Sequence, residues 1–175
     1  MFNLRRGVGL YSLLISILLL IGAFLLKNII PLPDILSNPL MPRTIFSLSV
    51  FIMLIVFIWS KKTLPRKTRA NALCTSGPYK YVRHPIYSAI VANLNFGIAI
   101  FLNNYIFLIW AIAVYIIWFK LVDYEEQYLI RVFHNEYYLY QKRTGKFLPK
   151  LSYLLLNNKK KYGGEGGIRT HVPRY

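Results

Sequence analysis

The chain has 175 residues, of which 55% are hydrophobic and only 16% charged, whereas soluble domains are roughly 45 to 50% apolar and about 25% charged. Lys and Arg outnumber Asp and Glu 22 to 6, a net charge of +16. Those cations sit between and after long apolar runs, where they set topology or meet anionic headgroups, so nucleic acid is excluded as the partner and the bilayer is the expected one.

Val8 to Leu26 carries no charge and is close to the roughly 20 residues that a helix needs to cross a bilayer. Arg5 and Arg6 precede it as in a signal peptide, but no small-residue cleavage site follows, so the span is read as retained. Pro31, Pro33, Pro39 and Pro42 then predict a loop. Ile45 to Trp59 is the second span. From Ser60 to His84 there are seven cations, among them Lys61, Arg66, Lys67, Arg69, Lys80 and Arg83, and no acid, which places this loop in the cytosol. Its Cys74 is the only cysteine, which excludes an internal disulfide, and no Cys/His cluster has zinc-ligand spacing, so no metal is expected.

Ile86 to Leu102 and Tyr105 to Leu121 are spans three and four, an antiparallel hairpin joined at Asn103-Asn104. Asn93 and Asn95 inside span three are expected to pair across helices, and Gly97 to let a neighbouring helix approach. An even number of spans puts both termini on the cytosolic side, in a bacterial inner membrane or the endoplasmic reticulum. After span four, Tyr124, Tyr128, Leu129, Val132, Phe133, Tyr137 and Tyr140 recur at helical steps. They predict an amphipathic helix that lies on the bilayer or folds back to close a site, with His134 an ordinary member of it. Beyond Leu156 the periodicity stops, so one domain is expected over 1–156 and a flexible basic, glycine-rich tail over 157–175. The fold class is all-α integral membrane, with about four transmembrane helices plus the C-terminal amphipathic helix.

Two clusters carry chemistry. Thr75 to Tyr87 enters span three: Gly77-Pro78 predicts a turn, and Pro85 at the first helical position holds His84 at the helix N-terminus. Arg83 and Lys80 beside it favour an anion. Asp123, Glu125 and Glu126 are half of the chain's acids, placed where helix dipole and lipid both disfavour negative charge. A cation must offset them, either a loop arginine or a ligand. Antiparallel spans bring the two clusters to one face, and an anion site beside an acidic pair suits a ligand of mixed charge that also carries a ribose. S-adenosylmethionine fits that description.

At these residues the sequence resembles the isoprenylcysteine carboxyl methyltransferase and phospholipid methyltransferase superfamily of small membrane enzymes. The resemblance covers 75–149: Gly77-Pro78-Tyr79-Lys80-Tyr81-Val82-Arg83-His84-Pro85-Ile86-Tyr87, the apolar hairpin, Glu125-Glu126-Gln127-Tyr128-Leu129, and Phe133 to Pro149 with Lys142-Arg143-Thr144-Gly145-Lys146-Phe147-Leu148-Pro149 at its end. Ser88-Ala89 departs from it where a small residue such as glycine is common.

The resemblance implies a cytosolic pocket for S-adenosylmethionine, closed by the C-terminal helix, with a hydrophobic methyl acceptor arriving from the bilayer. Gly77, Pro78 and Tyr79 would form the turn against the cofactor, His84, Pro85 and Tyr87 would line it, and Glu125 and Glu126 would contact its polar groups. Arg83 would meet its carboxylate or stabilise the pocket, and Arg143 would lie near the acceptor; Arg83, Glu126 and Arg143 are the expected catalytic set. Methyl transfer from a sulfonium needs alignment and exclusion of water more than a nucleophilic triad, and the chain has none. The rival readings are a membrane scaffold that binds anionic lipid or a protein, and a nicotinamide-dependent sterol-type reductase.

Overall fold

The computed structural model describes residues 4–64 and 72–150. The side chains of Arg5 and Arg6, the loop cations Arg66, Lys67 and Arg69, and the tail 157–175 lie outside the described residues. Four helices make up the rest: α1 (Leu4–Ile29), α2 (Leu40–Thr63), α3 (Pro85–Phe101) and α4 (Tyr105–Arg143). Among the described residues there is no strand, and only an isolated bridge joins Val82 to Gly145. Three helices, α1, α2 and α4, are long and apolar enough to cross a membrane; α3 is shorter. The protein is an all-helical membrane protein.

The third span expected at Ile86 to Leu102 is this shorter α3, about 25 Å long at 1.5 Å per residue. Its middle, Ser88–Leu94, is π-helical. Two boundaries differ from the sequence reading. Helix α2 begins at Leu40 and takes in Pro42, because the first backbone N–H groups of a helix have no intrahelical partner and proline loses nothing there. Nor is the amphipathic segment after Leu121 a separate helix: with no breaking residue after the apolar run, α4 continues to His134, whose φ of 48° and ψ of −127° interrupt it. His134 is thus a backbone break and not an ordinary helical position.

This break reverses the chain. A continuous helix would put Gln141 about 22 Å from Glu126, yet the Gln141 Nε2 donates to Glu126 Oε2 at 2.9 Å. The last turns of α4 therefore fold back along the preceding ones.

Helix α1 packs on α4, and α2 packs on α3. The core is built from Phe107, Trp110, Val114, Trp118 and Val122 of α4 with Val91 and Ala99 of α3, and Phe147 joins it from the end of the chain. In lipid the helices gain little from hydrophobicity, so close packing and polar contacts hold them. The Trp118 Nε1 donates to Ser16 Oγ at 2.9 Å and the Trp110 Nε1 to the Ser16 carbonyl at 3.1 Å, which ties α1 to α4. Asn95 donates to the Ala111 carbonyl (2.9 Å) and Asn93 to the Ser49 carbonyl (2.8 Å), the cross-helix roles expected of them. A Cβ on Gly97 would stand 2.6 Å from the Ser49 side chain, so glycine sets the approach of α2 to α3. Leu18, Leu25, Phe51 and Ile109 remain exposed on the outer faces, as a lipid-facing surface requires.

Candidate functional site

The segment that enters α3 is fixed before any ligand is considered. Gly77 opens a single turn, Gly77–Lys80, at φ +56°, and a Cβ there would collide with the Thr63 side chain at the end of α2. Pro78 is buried beside it. The Tyr79 carbonyl accepts from the Tyr140 hydroxyl, so the turn is anchored to the folded-back end of α4. The chain then runs extended beside residues after α4: the Arg83 N–H donates to the Gly145 carbonyl at 2.8 Å and the His84 N–H to the Lys146 carbonyl at 3.3 Å. Pro85 occupies the first position of α3 and His84 its N-cap, as the order His-Pro predicts.

The Arg83 and His84 side chains converge on Glu126. Arg83 grips the carboxylate with two donors, Nε to Oε1 at 2.7 Å and Nη2 to Oε2 at 3.1 Å, in the fork geometry that makes arginine the strongest carboxylate partner. The Nε2 of His84 lies 3.1 Å from Oε1, and Gln141 donates to Oε2. Arg83 Nη1 also donates to the Thr144 and Gln141 carbonyls. Glu126 sits past the apolar part of α4, which ends near Val122. Burial by itself would raise its pKa, but the hydrogen bonds from His84 and Arg83 and the Arg83 charge outweigh it and hold the carboxyl down to about 2.

The neighbouring acids fare differently. Asp123 pairs with Lys146 at 2.6 Å. Glu125 keeps a buried oxygen, Oε2, with no hydrogen-bond partner among the described residues. The Tyr87 ring stacks on His84 with centroids 5.7 Å apart and meets Trp118 edge-on, so aromatic rings stand beside the carboxylates, with the Tyr87 hydroxyl turned to Glu125.

Of the residues singled out in the sequence, Arg83, His84 and Glu126 are brought together, Pro85 and Tyr87 stand next to them, and Glu125 adjoins Glu126 on α4. Gly77 and Pro78 shape the turn, where the nearest atoms to Gly77 belong to Thr63, and Tyr79 takes part through its carbonyl. Arg143 is exposed at the last position of α4 and has no place in the Glu126 network. Sequence reasoning missed Gln141, Thr144 and Lys146. A signal for Lys146 existed: three clustered acids call for more than one cation, and 142–149 supplies several.

The family model for phospholipid methyltransferases matches residues 40–136, more than half of the chain. The match spans α2, α3 and α4 as far as the reversal, and includes Arg83, His84, Glu125 and Glu126. No curated protein and no solved structure matches the sequence.

Proposed function

The chain belongs to the phospholipid methyltransferase family, and from that premise we propose that it is an integral membrane methyltransferase that uses S-adenosylmethionine and acts on a lipid-like acceptor reached from the bilayer. The observation that carries the reading is the Glu125-Glu126 pair opposite Arg83 and His84, with Glu125 Oε2 buried and unpartnered. A buried carboxylate oxygen without a donor is costly. The ribose hydroxyls or the ammonium of S-adenosylmethionine would satisfy it, so the residues present fit that cofactor.

When bound, the cofactor supplies an activated methyl group on a sulfonium, so the chain needs no nucleophile of its own. Its residues bind, orient and exclude water. Glu125 would hold the cofactor's donors. Arg83 gives four hydrogen bonds to Glu126, Gln141 and Thr144, and that commitment favours a pocket-stabilising role for it over direct contact with a carboxylate. Glu126 stays ionised and keeps Arg83 and His84 in place. The Tyr87, His84 and Phe147 rings would form the aromatic side that limits entry of water. Arg143, exposed at the end of α4, is left for the acceptor side. The basic loop and both termini would face the cytosol.

The test uses the purified full chain in lipid nanodiscs. Equilibrium binding of S-adenosylmethionine is measured first, then transfer of its labelled methyl into a total membrane extract, with the product identified. Wild type should bind and transfer, and Glu126→Gln and His84→Ala should lose binding. No binding and no transfer by the wild type would overturn the proposal.

A further inference from the structure

The segment Thr144 to Phe147 lies beyond the residues that the family model matches, yet four successive carbonyls in it hold the corner that carries Arg83 and His84. The Thr144 carbonyl accepts from the Arg83 side chain, Gly145 from the Arg83 N–H, Lys146 from the His84 N–H, and Phe147 from the Ser88 hydroxyl. All four residues are buried. Gly145 has no space for a Cβ, which would run into the Leu148 carbonyl.

What holds this strap in turn is the Lys146 side chain. Its ammonium reaches α4, where it donates to Asp123 Oδ1 at 2.6 Å and to the Phe119 carbonyl at 2.8 Å, and lies 3.9 Å from the centroid of the Phe119 ring. Lys146 is only 7% exposed, and a buried lysine is kept only where its charge is answered. The strap therefore spans two elements: its backbone fixes the entrance of α3, and one side chain clamps it to α4 three residues before Glu126.

We propose that Lys146 is a positioning residue: by clamping the strap to Asp123 and Phe119 it sets the place of Arg83 and His84, and so the affinity of the Glu125-Glu126 site for S-adenosylmethionine. This inference rests on the function proposed above. Lys146 does not touch the carboxylates of that site. It acts through the four hydrogen bonds that the strap's backbone carbonyls accept, two from backbone N–H groups and two from side chains.

The experiment uses the full chain in nanodiscs with three readouts: S-adenosylmethionine affinity, hydrogen exchange of the Arg83 and His84 amides, and the thermal transition. Lys146→Met keeps the stem against Phe119 and removes the charge; it should bind the cofactor about tenfold more weakly, the size of one lost hydrogen bond to a charged group, and exchange those two amides faster. Asp123→Asn should show the same change to a smaller extent, because Asp123 is half exposed. Lys146→Arg should recover most of the affinity, and Lys120→Met, which removes an exposed cation from α4, should behave as wild type. Cofactor affinity in Lys146→Met equal to wild type would overturn the proposal, as would a Lys146→Arg protein that is equally impaired and melts equally early, since that is a packing role alone. If the wild type itself binds no S-adenosylmethionine, the functional reading falls, and exchange decides for the strap: unchanged protection of Arg83 and His84 in Lys146→Met refutes it, and faster exchange sustains it.

Discussion

The Arg83 Nε meets Glu126 Oε1 at 2.7 Å across 43 residues of sequence, with both side chains less than a tenth exposed. A pair this buried is held by what it would cost to break it more than by what it gains. Glu126→Gln leaves the guanidinium without its countercharge and should destabilise the protein by roughly 3 kcal/mol. Replacing both partners by apolar residues, Arg83→Met with Glu126→Leu, should recover part of that loss and none of the cofactor binding. Unfolding in a graded denaturing detergent measures both; a double variant no more stable than Glu126→Gln would show that the unpaired charge is not the source.

The same carboxyl gives a pH dependence. Its pKa in the folded protein is about 2, below the ordinary 4.5, so its contribution to stability is fully present above about pH 4.5 and is lost as pH falls through the folded value. Wild type should therefore be more stable than Glu126→Gln at about pH 6, and the difference should shrink steadily below about pH 4.5. Melting curves of the two proteins over that range check this, and a difference independent of pH would mean that Glu126 is not the titrating group.

Much of this was legible in the sequence because its physics is local or periodic. Apolar runs gave the helices, Pro85 gave the start of α3 with His84 at its cap, and the excess of acid at 123–126 pointed to a partner cation that Arg83 turned out to supply. Asn93 and Asn95 could be assigned to cross-helix pairing because intramembrane amides have few other uses. That this segment folds back is one of two readings of the sequence, but the break at His134 could not be read, since no glycine or proline marks it and helical periodicity runs through it; its backbone angles and the contact from Gln141 to Glu126 reveal it. Thr144 to Phe147 has no periodicity, and its function is carried by backbone carbonyls, which every residue possesses. Its role was invisible for that reason, and the contact to Asp123 is made by Lys146, one of several cations in 142–149.

Gly97 should be intolerant of even a methyl group. A Cβ would lie 2.6 Å from the Ser49 Cβ and Oγ, and the Ser49 Cβ cannot rotate away. Gly97→Ala should cost about 1 to 3 kcal/mol by overpacking, whereas Gly22→Ala on α1, where nothing lies within 4 Å, should be neutral or slightly stabilising. Ser49→Gly in the Gly97→Ala background should restore most of the loss, because Asn93 bonds to the Ser49 carbonyl and not to its side chain. Thermal stability of the four proteins decides it; failure of Ser49→Gly to rescue would mean that the contact is not what glycine preserves.

Orientation can be tested with the protein's own chemistry. Cys74 is the only cysteine of the chain, sits in the basic loop between α2 and α3, and is partly exposed. If that loop is cytosolic, as its excess of cations predicts, a membrane-impermeant thiol reagent should label Cys74 in inside-out vesicles and leave it unlabelled in right-side-out ones. The loop between α1 and α2 must then face the opposite side, since α2 is long enough to cross the bilayer. Ser37→Cys in a Cys74→Ser background places an exposed thiol there, and its labelling should be the mirror image. Labelling of both positions from one side would mean that α2 does not cross, and labelling of Cys74 in right-side-out vesicles would detach the Arg83 and Glu126 site from the cytosolic face on which the proposed cofactor is supplied.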